Sequence, residues 1–423
     1  MFSNKVRLDT LLHLLSAGDQ RVPHAITRRF LLCFLLASAL SAQDLRVDQI
    51  ESARAQKALE LTPPEDPRLQ RIIVRAEDSK PYQLLTTGEG LGVGFGQLVP
   101  GAGFSAGPIY RRQFWDGRVQ VGGSLLGSMK EYYMGRAYAT LSGFFNGRAL
   151  VDFSASHSDF TQMPYYGPGP DSRKTGRSDY RLERTEVEVR PTMRLARNLT
   201  AGAIGSFMAI NVGPGTSSTY ISTDQQFGPQ ISPGIERQTN YLKGGGFVDY
   251  DWRDKIGEPT NGGRYRAEYA KLSDRDVGAY SFYELKLDAT QYIPLFNHKR
   301  VIALHGATWL TDTNATQTVP FYMQPSLGGP DTLRGFRPFR FYDNNAVLMQ
   351  GEYRWEASSV LDLAVFADGG KVFHNWDQWN LHNIEGSFGF GLRIKSLTGV
   401  ALRIDTAFSH EGFQICFRTG NPF

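Results

Sequence analysis

The chain has 423 residues, 41% of them hydrophobic and 21% charged, with a formal net charge of +4 and a mean hydropathy of −0.33. Its longest uncharged apolar run, residues 30–42, has 13 residues, against the roughly 20 that a membrane-crossing helix needs, so helical transport of the polytopic kind is excluded. Two cysteines exclude a disulfide framework and a cysteine-rich zinc site.

Residues 1–42 read as a leader for export. Arg28 and Arg29 precede the run that starts at Phe30, and the small residues Ser41 and Ala42 offer a cleavage site. This segment holds five basic and two acidic residues, which leaves 41 basic and 40 acidic in the remainder. The sequence pI near 8.9 is thus mostly a leader effect and gives no ground for a nucleic-acid partner. Residues 43–83 are polar and charged, and are broken by Pro63, Pro64 and Pro67. They predict a short helix near 44–60 followed by a linker, a small periplasmic segment ahead of the main domain, 84–423.

From about residue 89 the dominant signal is a period of two. Val151-Asp152-Phe153-Ser154-Ala155-Ser156 alternates apolar with polar, and in Arg184-Thr185-Glu186-Val187-Glu188-Val189-Arg190 the polar side is charged. The same pattern returns at 264–269, 283–289 and 347–356, and in Phe388/Phe390/Leu392/Ile394, Val400/Leu402/Ile404 and Phe413/Ile415/Phe417. Alternation of this kind means strands with one buried face. Sixteen segments are predicted, near 89–97, 105–114, 117–128, 130–143, 147–158, 181–191, 198–212, 240–252, 261–272, 279–294, 299–312, 345–357, 360–372, 386–396, 398–409 and 411–419.

The connections alternate in length. One set is tight: Asp116-Gly117 and Asn146-Gly147, suited to hairpin turns with positive φ, a turn around Pro191, and turns at 357–359 and 396–399. The other set includes the long loops 159–180, 213–239, 313–344 and 373–385. Short turns at one end and long loops at the other is the layout of an outer-membrane barrel, apolar outside and charged within. Bilayer physics asks for the same closure, because an unpaired sheet edge in hydrocarbon is too costly. The expected fold is therefore all-β: a transmembrane barrel of about 16 antiparallel strands, with both ends of the chain on the short-turn, periplasmic side. Trp115, Tyr250, Trp252 and Trp355 fall at segment ends, where interfacial girdles form.

The longest loop contains Leu327-Gly-Gly-Pro-Asp-Thr-Leu-Arg334-Gly335-Phe336-Arg337. This resembles the (V/L/I)RGF signature of the BamA/TamA outer-membrane assembly superfamily, also called bacterial surface antigens. The order of the other motifs agrees with that family: Tyr165 to Ser172, the Asp251-Trp-Arg-Asp segment with Pro259 and Gly262-Gly263, Val365 to Gly370, Gly389 to Arg393, and Phe423. The resemblance covers about 89–423. It implies a sixteen-stranded barrel whose RGF loop folds into the lumen, client outer-membrane or secreted proteins, and periplasmic partner proteins. It also implies POTRA modules ahead of the barrel. Residues 43–83 provide 41 positions, short of the roughly 50 such a module requires, so a full one is not expected.

Alternation places Glu352 and Asp368 on the lumen side of neighbouring strands. An arginine on a long loop can fold in and meet both carboxylates, since its planar fork takes two partners and keeps its charge. The resemblance implies the same contacts, Arg334 with Asp368 and Glu352. Gly335 permits a sharp bend, and Phe336 can pack against lumen side chains. The glycines Gly88, Gly90, Gly92, Gly94 and Gly96 share one face of the first strand and weaken its pairing. In the family the first and last strands meet at a seam that opens laterally. The expected gate therefore joins Gly90, Gly92 and Gly94 to a last strand with Phe413, Ile415 and Phe417 towards lipid. Terminal Phe423 is, by the same resemblance, a recognition signal for assembly.

No catalytic set, metal-ligand spacing or cofactor fingerprint is legible. Cys416 falls on a lumen face with no suggested partner. The expectation is a non-enzymatic barrel without metal or cofactor, exported to the bacterial outer membrane, embedded in its lipid bilayer, and assisting insertion or translocation of proteins. The alternatives are a passive or solute-selective pore, with lumen charges setting selectivity, and a structural surface antigen.

Overall fold

The computed structural model describes residues 89–96, 98–296, 299–396 and 399–423. The predicted leader, the predicted helix and linker of 43–83, and Gly88 lie outside the described residues. Sixteen strands form one antiparallel sheet in chain order. They are β1 Gly90–Gly96, β2 Ser105–Phe114, β3 Val119–Ser128, β4 Tyr133–Gly143, β5 Ala149–Tyr165, β6 Ser178–Arg194, β7 Leu199–Pro214 and β8 Tyr241–Asp251. After these come β9 Gly262–Asp274, β10 Phe282–Leu295, β11 Arg300–Asp312, β14 Asn345–Ser358, β15 Leu361–Phe373, β16 Glu385–Ser396, β17 Gly399–Ser409 and β18 Gly412–Arg418. Two further strands, β12 Ser326–Leu327 and β13 Phe341–Tyr342, pair only with each other inside the longest loop. Each predicted segment corresponds to one barrel strand.

The barrel is nearly closed. β1 and β18 stand at the two ends of the hydrogen-bonded order, and among the described residues no ladder joins them. The wall obeys the expected polarity. Val187 and Val189 are exposed on the outer face of β6 while Glu186 and Glu188 face inward, and Phe388, Phe390, Phe413, Ile415 and Phe417 are exposed on the last strands. A water-soluble chain with so much contiguous exposed apolar surface would aggregate, so hydrocarbon is the solvent this wall is built for. Trp115, Tyr250, Trp252 and Trp355 all stand at the short-turn end of the wall.

The turns behave as their residues dictate. Asp116 (φ 52°) and Gly117 (φ 79°), and likewise Asn146 (φ 58°) and Gly147 (φ 76°), take positive φ at the two tight hairpins. Three boundaries differ from expectation. Pro191 lies inside β6, opposite Val151, and the turn follows at 195–198. The ladder to β7 lapses at Arg190 and Pro191, as a residue without an N–H requires. β5 and β6 run well beyond the predicted ends, so their loop shrinks to 166–177. Alternation fades there because a bulge between Phe160 and Met163 shifts the register, and both faces of the hairpin are covered by other loops. Val400 points inward, unlike Leu402 and Ile404, because the β16–β17 register slips beside Lys395.

Side chains fill the interior unevenly. Above the bilayer belt, Tyr165, Tyr180, Phe321, Tyr342, Tyr241 and Phe282 form an aromatic cap under the long loops. Below it, Leu327, Leu333, Phe336 and Phe341 of the longest loop pack on Leu348 and Val372 of the wall. The central part of that loop, Leu327 to Phe341, therefore lies against the wall of β14 and β15, while Phe321 and Tyr342 join the cap.

Candidate functional site

The loop between β11 and β14 is held in shape before it touches the wall. The two rungs of β12 and β13 close its base, with Ser326 opposite Tyr342 and Leu327 opposite Phe341. Gly328 (φ +117°) and Gly329 (φ +100°) then turn the chain in a conformation that side chains resist. Thr332 Oγ1 accepts the Gly328 N–H at 2.8 Å, and the Phe336 N–H donates to the Leu333 carbonyl at 3.1 Å. These bonds present Arg334 to the wall at the tip of a tight bend.

Arg334 is fully buried. Its backbone N–H and Nε donate to Asp368 Oδ2 at 3.1 and 2.9 Å, and Nη2 donates to Asp368 Oδ1. Nη1 donates to Glu352 Oε1. Both carboxylates sit on the inward register of adjacent strands, β14 and β15, as alternation predicts. The guanidinium lies over the Phe366 ring, opposite Glu352 in the β14–β15 ladder. Burial pulls the guanidinium's pKa down, but the bonds to Asp368 and the charges of Glu352, Asp368 and Asp405 hold it above the ordinary arginine value. The group stays ionised at any pH the cell meets.

The network is wider than the sequence indicated. Glu352 also accepts from Arg354 Nε at 2.6 Å and from Arg393 Nη2 at 3.1 Å. Asp405 on β17 accepts from Arg393 and stands 3.2 Å from Arg403 Nε. Arg403 Nη2 donates back to the loop, at the Pro330 carbonyl, over 2.8 Å. Gln350 and Ser387 donate to Asp368 at 3.2 Å each. Four guanidinium groups thus surround three carboxylates, all of them buried. Removing one member of such a set strands the rest as uncompensated charge, so the set acts as a registry device for the loop. The inward register of β16 and β17 was the available signal for Arg393, Arg403 and Asp405. Which of them meet Arg334 depends on the stagger between strands, which alternation does not specify.

Gly335 lies against the last hairpin. A Cβ there would fall 2.6 Å from Ser387 Cβ and 2.8 Å from the Phe408 carbonyl oxygen. Ser409 Oγ donates to the Gly335 carbonyl at 2.8 Å, and Cys416 Sγ lies 4.0 Å from the Arg334 carbonyl. Phe336 is buried between the rings of Phe341 and His410. Further along, Arg340 reaches Glu411 at the tip of the β17–β18 hairpin (Nε to Oε1, 2.8 Å) and Ser172 in the β5–β6 loop (2.8 Å). On the opposite side of the seam, Pro338 packs where a Cβ on Gly101 of the β1–β2 loop would meet it at 3.3 Å. One loop therefore touches chain beside both seam strands, the β17–β18 hairpin and the β1–β2 connection.

Of the other predicted residues, Gly90, Gly92 and Gly94 lie in β1, paired with Arg111, Ile109 and Gly107 of β2. Phe413, Ile415 and Phe417 are 62%, 53% and 56% exposed on the outer face of β18. Phe423 does not touch Arg334 but reaches the Arg354 that shares Glu352 with it. The segment after β18 folds into the lumen, where Phe423 stacks on His305 at 5.0 Å and lies 5.2 Å from the Arg354 guanidinium. The Tyr292 hydroxyl donates to its carbonyl at 2.8 Å.

Comparison with known proteins places this geometry among relatives. A family model described as the Omp85 superfamily domain matches residues 120–423. Among solved structures, the chain is similar to BamA from Haemophilus ducreyi lacking POTRA domains 1–3, with TM-score 0.58 and 18% identity over 78% of this chain and 70% of that one. It is also similar to CdiB from Escherichia coli, with TM-score 0.51 and 14% identity over 78% of this chain and 61% of that one. A search of curated protein sequences found no match.

Proposed function

The chain belongs to the Omp85 superfamily of outer-membrane barrels, and from that premise we propose that it inserts or translocates client proteins at the bacterial outer membrane, reached by export through the 1–42 leader. The observation that carries this reading is the lumen loop, anchored at Arg334 and lying against both margins of the seam between β1 and β18, which no ladder joins among the described residues. The mechanism is non-covalent and needs no enzyme chemistry. When the loop leaves the wall, the β17–β18 hairpin loses Gly335, Phe336 and Arg340, and the β1–β2 connection loses Pro338. Exposed strand edges are ready templates for pairing, so a client strand or an extended segment can add there. Partners are then client outer-membrane or secreted polypeptides, with periplasmic proteins that deliver them.

The test is depletion of the protein followed by a quantitative inventory of the outer membrane and the secreted fraction. Loss of a defined set of barrel or secreted proteins, restored by the wild-type chain and not by Arg334→Ala, supports the proposal. An unchanged inventory, together with steady single-channel conductance of the purified barrel, overturns it in favour of a pore.

A further inference from the structure

At the long-loop end, four connections converge on a cavity of about 220 Å³. Three cationic side chains line it: Lys130 from the β3–β4 turn, Arg177 from the β5–β6 loop, and Arg337 from the lumen loop. The compensation inside is incomplete. Arg177 pairs with Asp179 at 3.3 Å. Lys130 Nζ donates to the Gly101 carbonyl at 2.7 Å, a neutral partner. Among the described residues, neither Lys130 nor Arg337 forms an ion pair. Tyr166 also lines the cavity; it is 3% exposed, and its hydroxyl stands beside the Arg337 side chain but donates no hydrogen bond among the described residues. A buried phenol proton without an acceptor is costly, so its place in a native structure calls for one.

We propose that this cavity binds a phosphate group. A phosphate offers several acceptor oxygens at tetrahedral spacing, which suits two planar guanidinium forks, a point-charge ammonium and a phenol donor together. The excess of positive charge in a half-enclosed space favours an anion over water. Free phosphate and the phosphorylated headgroup of an outer-leaflet lipid share this chemistry. Either would join the lumen loop to three neighbouring connections at Arg337, three residues beyond the buried Arg334.

The test uses the full chain in detergent micelles, titrated calorimetrically with inorganic phosphate at constant ionic strength with chloride as the reference anion. A second arm uses vesicles with and without a phosphorylated glucosamine lipid. Saturable binding is expected, weakened about tenfold (about 1.4 kcal/mol) by Arg337→Gln, which removes one charge-assisted bond. Tyr166→Phe and Lys130→Gln are expected to weaken it severalfold, and Lys130 is exposed, so its variant reports even where Arg337→Gln fails to fold. Saturation by inorganic phosphate without further gain from the lipid assigns the soluble source. Binding that needs the lipid and is lost in the same variants assigns the headgroup. No saturable response beyond chloride in either arm, or a response unchanged in both Arg337→Gln and Lys130→Gln, overturns the site.

Discussion

The guanidinium carbon of Arg334 stands 3.4 Å from the centre of the Phe366 ring. The ring covers one face of the cation while Asp368 and Glu352 take its edges, so the charge is dehydrated and fully paired at once. Arg334→Ala removes the partner of two buried carboxylates. The expected loss is about 3–5 kcal/mol of loop docking, because the charges left behind keep their desolvation cost. Limited proteolysis within 313–344 and the thermal midpoint in detergent report it. Unchanged protection of the loop would mean that packing alone holds it.

Of the three acidic neighbours, Asp368 and Asp405 are not equivalent. Asp368 takes three bonds from Arg334, whereas Asp405 stands 3.8 Å from it and chiefly serves Arg393 and Arg403. Asp368→Asn is therefore expected to loosen the loop nearly as much as Arg334→Ala. Asp405→Asn should weaken the β16–β17 wall with a smaller rise in loop cleavage. The ratio of loop cleavage rates between the two variants decides the point, and equal rates would contradict it.

Gly335→Ala tests close approach without touching a charge. The added methyl group meets Ser387 and the Phe408 carbonyl inside hard-sphere limits, a strain on the order of 1–3 kcal/mol for overpacking. Loop cleavage should rise, and Ser387→Gly should restore only part of the docking, since the backbone clash with Phe408 remains and Ser387 also donates to Asp368. Full rescue by Ser387→Gly would place the whole clash on that side chain.

A crosslink across the seam tests whether the margins must part. Val93 and Ile415 are both exposed on the outer face, on β1 and β18. With Cys33 and Cys416 replaced by serine, the pair Val93→Cys and Ile415→Cys, joined by a cleavable bifunctional thiol reagent, should suppress client assembly until the link is cleaved. Full activity of the crosslinked protein would argue against lateral opening.

Phe423 packs on the inner wall at β10 and β11. It packs on Tyr292, Val301 and Ala303, beneath the Arg354 that also serves Glu352. Phe423→Ala removes a half-buried ring, with an expected cost of about 1–2 kcal/mol locally. Single-channel recording should show more frequent openings at unchanged barrel content; a silent recording would assign the segment a purely structural place.

The wall was legible because bilayer and lumen impose opposite polarities on alternate residues, as at Val187 and Glu188. The pairing of Arg334 with Glu352 and Asp368 was legible for the same reason, combined with one recognisable loop motif. What escaped depends on features that have no period. Arg393 and Asp405 meet the network through strand stagger. Pro191 sits inside a strand whose neighbouring ladder tolerates a missing donor. The inward fold of 419–423 and the meeting of Lys130, Arg177 and Arg337 are set by irregular connections, where residues far apart in sequence are brought together only by the closed wall.

Because the same stretch of chain leans on Phe408 and Ser409 at one side and on Gly101 at the other, it works as a keystone between two abutments. While it is seated, its contacts must break before either edge is free of it. Its withdrawal frees both in one event, so the kinetics of parting should show a single step whose barrier is set at residue 334 and is insensitive to the length of strand later exposed.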